Sequence, residues 1–292
     1  MYLGSLLSSA GSVNNDVKLE IQKREKHFNK FYSFLRENYN APLFVKEQVL
    51  DACVSSAILY NCETWGNADV KQLEMMYRKA LKYMLGVRAT NCNEFPYVEL
   101  GKSTLTSLIH KRQYIFFKKC TVDSDWPLQR HIIRTAMDAR CPFIAHYTRL
   151  VHTYTSAESI IQQSLQKLKS DIIAKANKLQ SRYISYQKIN PTLSKPNIYN
   201  TIIPTFKQQL TSRLRMISHD LAIEIGRHKR PKVPIARRIC ECGDIETEKH
   251  FVLNCHQYSH IRRKYNVTNS SVINFVLDTD FTCDFITDLQ EN

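Results

Sequence analysis

Arg238-Ile-Cys-Glu-Cys-Gly-Asp-Ile-Glu-Thr-Glu-Lys-His-Phe-Val-Leu-Asn-Cys255 is the most informative stretch of the chain. It brings Cys240, Cys242, His250 and Cys255 within sixteen residues. Three thiols and one imidazole are the number and type of ligands that close a tetrahedral Zn2+ site. Cys240 and Cys242 would supply two ligands from one turn. Thr247 can cap a short helix that carries His250 early and Cys255 near its end. Residues four apart share a helix face, so the five-residue step from His250 to Cys255 requires a frayed last turn. The first pair is the tight element: metal-binding pairs usually leave two to four residues between thiols, and here one intervenes. His256 and His260 are the spare ligands. The plainer alternative is two partly exposed thiols, a surface histidine and a core cysteine.

Just upstream, Gly226-Arg-His-Lys-Arg-Pro-Lys-Val-Pro-Ile-Ala-Arg-Arg238 reads as an extended basic arm broken by Pro231 and Pro234. Arg227, Lys229, Arg230, Lys232, Arg237 and Arg238 lie there with no acid among them, so phosphate contact is expected. A merely solvated face is the competing reading. Arg262, Arg263 and Lys264 extend the patch. Tyr258 and Tyr265 either stack on bases or pack against the local helix. After Lys264 the chain has no Lys or Arg and turns acidic through Asp278, Asp280, Asp284, Asp288 and Glu291.

The whole chain shares this bias. A net charge of +14 and a pI near 9.3 favour phosphate-rich partners such as RNA or DNA. An apolar content of 43% excludes a disordered chain, and only 7 Gly suits a mostly helical one. Met1 to Val13 is polar and Ser-rich, unlike the apolar core of a secretory leader. The nine Cys are therefore expected reduced, in the nucleus or cytoplasm. Cys53, Cys62, Cys92, Cys120 and Cys141 read as small buried hydrophobes. No apolar run is long enough to cross a bilayer, so no membrane role is expected.

Periodicity supplies the helices. Over 16–38, Val17, Ile21, Phe28, Phe31, Tyr32 and Leu35 repeat on one face, with Asn15 or Asp16 as cap. Residues 43–61 are apolar on most sides and predict a central helix. Residues 68–85 give the cleanest period, with Gly86 where a left-handed C-cap would sit. Lys71, Arg78, Lys79 and Lys82 share the opposite face, a polar surface by default and a nucleic-acid contact on the sharper reading. Another helix covers 103–120. Residues 121–154 read as irregular, with Pro127 and Pro142 as breakers. Thr155-Ser-Ala-Glu158 is a capping-box pattern opening a helix through Leu179, with Ile161, Leu165, Leu168, Ile172, Ala176 and Leu179 on one side. Residues 187–204, with three Pro, read as a linker. Residues 205–225 read as helical, with Phe206, Leu210, Leu214, Ile217 and Leu221 inward. The fold class is mainly α.

Two sets of motifs then resemble one family. Tyr2-Leu-Gly-Ser5, Ala57-Ile-Leu-Tyr60, Glu63-Thr-Trp65 and Leu73…Tyr77-Arg78-Lys79…Leu81…Met84-Leu-Gly-Val87 resemble the region after the palm of non-LTR (LINE-type) retrotransposon reverse transcriptases. That region is a helical thumb. Asn61-Cys62 stands where the family often has Gly and a small residue. Leu214-Arg-x-x-Ser-His-x-Leu-Ala-Ile-Glu-x-Gly-Arg227, Pro231-Lys-Val-Pro234 and Glu248-x-His250-Phe…Cys255…Tyr258…Ile261-Arg262 look like the family's C-terminal Cys-Cys-His-Cys module. The resemblance implies a thumb-like bundle at 1–120, a helical connector and linker at 121–204, a basic arm with zinc knuckle at 205–265 and an acidic tail at 266–292. It implies binding of template–primer and of element RNA or target DNA. The family's catalytic carboxylates lie in the palm, before the segment matched by Tyr2, and this chain has no Asp-Asp pair. Asp123-Ser-Asp125 and Asp278-Thr-Asp280 are paired only in spacing. A non-catalytic part of an RNA-directed DNA polymerase, partnered by the missing palm and fingers, is thus expected. A domesticated zinc protein serving protein–protein contacts is the alternative.

Overall fold

The computed structural model describes residues 14–122, 127–140, 142–268, 271, 273–279 and 281–291. Tyr2–Ser5, Cys141, Asp123–Asp125 and Asp280 lie outside them. The fold is mainly α, and among the described residues the β pairing is limited to an isolated bridge between Ile239 and Ile245. No helix among them is long and apolar enough to cross a membrane. The chain forms two compact units that interleave along the sequence. One holds Met1–Glu37, Glu47–Ala80 and Ser103–Lys167; the other holds Asn38–Lys46, Leu81–Lys102 and Leu168–Asn292. The linear division into 1–120, 121–204, 205–265 and 266–292 does not follow this packing.

In the first unit the Asn14–Glu37 helix buries Ile21, Phe28, Phe31 and Leu35, as its repeat requires. It lies against Leu50–Ser55, a wide i→i+5 turn, and Ser56–Ile58. The predicted central helix over 43–61 is therefore segmented. Leu50, Val54 and Ile58 face inward, whereas Asp51, Ala52 and Cys53 face solvent. Cys53 is exposed, against expectation, while Cys62 and Cys120 are buried and Cys92 is half-buried. Residues 121–154 are not irregular. They contain helices Pro127–Asp138 and Pro142–Thr153, each opened by its proline. Proline lacks only an N–H that the first helical position cannot use, so it starts these helices. The Leu105–Val122 helix packs on both, through a cluster of Phe117, Ile144 and Tyr147.

The Tyr60–Trp65 stretch is held by its neighbours' side chains. Arg24 donates to the carbonyls of Ile58 at 3.0 Å and Tyr60 at 2.6 Å, and lies over the Trp65 ring. Buried Gln113 donates to Cys62 O at 3.1 Å and Gly66 O at 3.0 Å. Tyr147 donates to Glu63 O at 2.5 Å and accepts from the Gly66 N–H. Asn61 has φ 57°, a left-handed backbone that Gly and Asn adopt most readily. That accounts for Asn standing at this point of the motif. Burial pushes the Cys62 thiol up to about 12. Burial and the nearby His110 hold the His146 imidazole, which meets Gln113 Oε1 at 3.0 Å, down to about 4.

The Lys71–Met84 helix ends as predicted. Gly86 is left-handed, its N–H reaches Tyr83 O, and the Val87 N–H reaches Lys82 O. A side chain at Gly86 would strike Gln209. The Ala157–Asn177 helix begins one residue later than the capping-box reading: Ser156 and Ser159 cap each other's N–H groups. It buries Ile160, Leu168, Ile172 and Ala176. Leu179 is not on its inner face. The helix stops at Asn177, leaving Leu179 left-handed at φ 57° and 81% exposed.

In the second unit the segment read as a linker is packed. Ile189, Leu193, Ile198 and Tyr199 are buried, and Asn190 donates to Glu99 at 3.0 Å. Its prolines punctuate turns within a core. Glu99 and Arg215 form a fully buried pair at 2.9 Å, completed by the Tyr186 hydroxyl on Glu99 and the Leu277 carbonyl on Arg215. Such a pair is tolerable only when its polar atoms are satisfied. The Thr205–Arg215 helix packs on Thr282–Glu291, so the acidic tail belongs to the fold. Phe285, Ile286 and Leu289 are buried, and Lys207 donates to Asp284 at 2.5 Å. Phe206 is largely exposed, contrary to its inward reading, because this helix buries Gln208, Thr211 and Ser212 through hydrogen bonds instead.

Candidate metal centre and basic loop

All the local pieces around Cys240 serve to converge four side chains. The Cys240 N–H donates to Asp244 O at 2.8 Å, and the Gly243 N–H donates to Cys240 O at 2.9 Å. This closes a tight turn whose two arms meet at the isolated Ile239–Ile245 bridge. Gly243 sits at φ +98°, a conformation open to glycine, and this lets one residue suffice between Cys240 and Cys242. The Thr247 hydroxyl accepts from the His250 N–H at 3.0 Å, the predicted cap. His250–Asn254 is then a wide turn in which the Cys255 N–H reaches His250 O at 2.8 Å. The wide turn does what the frayed end was expected to do, aligning residues five apart.

The result is a cluster. The ligand atoms of Cys240, Cys242, His250 and Cys255 all lie within 4.8 Å of one another, so the set could hold a metal ion. Cys240 Sγ is 3.8 Å from Cys255 Sγ, and Cys242 Sγ is 3.2 Å from His250 Nε2. Three of the four residues are buried; Cys242 is half-buried. Burial pushes the Cys240 thiol up to about 12, and the neighbouring Cys242 and Cys255 thiols add to the rise. Asp244 places a carboxylate oxygen 3.8 Å from His250 Nδ1, the kind of outer partner that orients a ligating imidazole. His256 and His260 are exposed and outside the cluster.

Arg262 does not extend a phosphate-binding patch. It is 5% exposed and donates to the Cys255 carbonyl, while its Nη1 is buried without a hydrogen-bond partner. Three thiolates around a divalent ion would leave one net negative charge beside that guanidinium. The donor set and this orphaned donor both fit a bound cation.

The basic arm is a loop pinned at both ends. Arg238 is 7% exposed and donates to Val233 O and Ile223 O, each at 2.9 Å. Its side chain lies where a Cβ on Gly226 would be, and the Val233 N–H bonds Gly226 O. Arg227 donates to Glu224 at 2.5 Å. Arg238 is thus structural and Arg227 is engaged, whereas Lys229, Arg230, Lys232, Arg237 and Arg263 are exposed. Arg78 is half-buried and Lys79 exposed, its ammonium 5.7 Å from the Tyr32 ring. Lys82 is removed from any surface role: it is buried, donating to Ala89 O at 2.8 Å and Asn91 O at 2.5 Å.

Motifs separated in sequence meet around the cluster. His219 contacts Glu248 at 3.2 Å; burial opposes the Glu248 carboxylate's charge, but His219 holds its pKa below the usual value. Glu246 accepts from the Ala222 N–H at the start of the Ala222–His228 helix. Glu224, on that helix, binds Arg182, Arg227 and His228. Sequence reasoning missed Arg182 and Asp244, for which the chain offers no local signal. Compared against protein-family models, curated proteins and solved structures, the chain matches none.

Proposed function

We propose that this chain is a nucleic-acid-binding, non-catalytic part of a non-LTR retrotransposon reverse transcriptase, with a zinc knuckle at Cys240, Cys242, His250 and Cys255. The observation that carries the reading is the convergence of those four ligands beside a pinned, acid-free basic loop. Thiol-rich donor sets favour zinc over hard cations. Tetrahedral ligands at about 2.3 Å from zinc stand roughly 3.8 Å apart, in keeping with the 3.8 Å between Cys240 and Cys255. Zinc would supply structure, closing the knuckle so that the loop keeps its place. Lys229, Arg230, Lys232 and Arg237 would hold phosphates of template–primer, element RNA or target DNA. Residues of the motifs that resemble the family, His219, Glu224, Gly226 and Glu248, lie with Arg238 in the contacts that support this module, which favours the kinship.

Titration of the zinc-loaded chain with RNA and DNA at several salt levels tests the reading. Four phosphate contacts predict a log–log salt slope of roughly −3 to −4. Absent or salt-insensitive binding sinks it. The second reading, a zinc protein used for protein contacts, draws support from Ile235 and Ile239, more than half exposed beside the knuckle. Charge reversal at Lys229, Arg230 and Lys232 separates the two, abolishing function only under the first.

A further inference from the structure

A cleft of about 380 Å³ in the second unit is lined by Arg88, Thr90, Ile225, His228 and Lys229. One wall follows the Gly86 cap; the other is the end of the Ala222–His228 helix and the start of the basic loop. The volume lies within the range of ligand clefts, roughly 300–1,000 Å³.

Arg182 organises the wall. It donates to Thr90 O at 3.4 Å, to the Glu224 carboxylate and to His228 Nε2 at 2.5 Å. The same Nε2 lies 3.1 Å from Glu224 Oε1, so the ring is held between the guanidinium and the carboxylate. The imidazole is thereby held at the edge of the cleft. Glu224 is shared between Arg182 and Arg227, and Asp220 is paired with Arg88. Four permanent cations, Arg88, Arg182, Arg227 and Lys229, thus face two carboxylates, Asp220 and Glu224. The surplus is positive beside a floor of half-exposed Ile225. An anion carrying a flat apolar group meets both features.

We infer that this cleft seats one nucleotide of a bound strand, its phosphate against Arg88, Lys229 and the His228 imidazole and its base over Ile225. The inference rests on the nucleic-acid reading and adds to it a pocket away from the exposed loop tip. The test uses the zinc-loaded full chain and a fluorescent oligoribonucleotide of about twelve nucleotides, a length one binding module can cover. Thr90→Glu, which adds a carboxylate to the wall, is expected to weaken binding by about tenfold or more, and Thr90→Gln by less than about threefold. Arg88→Gln, which removes a cation of the wall outside the basic loop, should weaken binding in the same direction and covers the case in which Thr90→Glu disturbs folding. Adenosine monophosphate is expected to displace the strand at concentrations where inorganic phosphate does not. Unchanged affinity in Thr90→Glu and Arg88→Gln, with wild-type binding intact, overturns the cleft and leaves the proposed function standing. Equal displacement by phosphate overturns the nucleotide in favour of a simple anion site. No binding by the wild type overturns both readings.

Discussion

The stretch around Cys62 in the first unit and the knuckle around Cys240 in the second both gather polar atoms in buried surroundings, and they do so in opposite ways. Near Cys62 the backbone carbonyls find donors: Arg24, Gln113 and Tyr147 donate to those of Ile58, Tyr60, Cys62, Glu63 and Gly66. Among the buried side-chain nitrogen and oxygen atoms of Tyr60–Trp65, only Trp65 Nε1 lacks a hydrogen-bond partner. Near Cys240, three thiols and an imidazole point at one another. Thiols are weak hydrogen-bonding groups, and they gain little from this company. A convergence whose carbonyls find their donors is scaffold. One whose thiols and imidazole face each other could hold a metal ion, and these donor types suit one.

The largest test of that contrast removes the component. Cys255→Ser, or chelation of the wild type, is expected to abolish metal binding and melt the knuckle, because ion binding and folding are one equilibrium in such modules. Metal analysis by mass spectrometry and far-UV circular dichroism would follow both. One equivalent of zinc lost together with helical signal supports the contrast; an unchanged melting curve on chelation would refute it. The scaffold should ignore chelation.

Conversely, Gln113→Leu strikes only the scaffold. It leaves the Cys62 and Gly66 carbonyls buried without their donor, each costing roughly 1–3 kcal/mol. A loss of about 2–4 kcal/mol is expected in urea unfolding, with zinc content unchanged. A loss below about 0.5 kcal/mol would mean that water reaches these carbonyls and that the stretch is not the sealed hub its geometry describes.

The two regions were also unequally legible in the sequence. The Cys–His cluster announces itself because Cys and His are rare and their chemistry is narrow, so four of them in one short stretch limit the readings. The hub does not, since its acceptors are backbone carbonyls that every residue carries. For the same reason the basic residues were misread. Arg238, Arg262 and Lys82 look like their exposed neighbours in composition, yet each ends on backbone carbonyls of a turn that the sequence does not display. Apolar periodicity placed Phe28, Leu35 and Leu168 correctly. It failed at Phe206 and Leu179, where hydrogen bonding and helix termination set the inner face. Pro127 and Pro142 misled because a proline marks a boundary without saying on which side the helix lies.

Backbone strain extends the comparison to its smallest effect. Near Cys62 the left-handed positions are Asn61 and Gly66, residues that adopt this conformation at little cost. The second unit places Leu179, Leu193 and Ile217 there. Leu179 caps its helix through the Gln180 N–H on Lys175 O and its own N–H on Ala176 O, the arrangement that glycine serves best. Its side chain is 81% exposed, so Leu179→Gly forfeits almost no burial while relieving roughly 1 kcal/mol of steric cost. A stabilisation of about 0.5–1 kcal/mol is expected in urea unfolding, reduced somewhat by the greater freedom of glycine in the unfolded chain. Ile217 occupies the equivalent position after Arg215 but is 1% exposed. There Ile217→Gly should destabilise, since losing a buried isoleucine outweighs the relief. The same sign for both substitutions would show that the balance of strain against burial is not what separates Leu179 from Ile217.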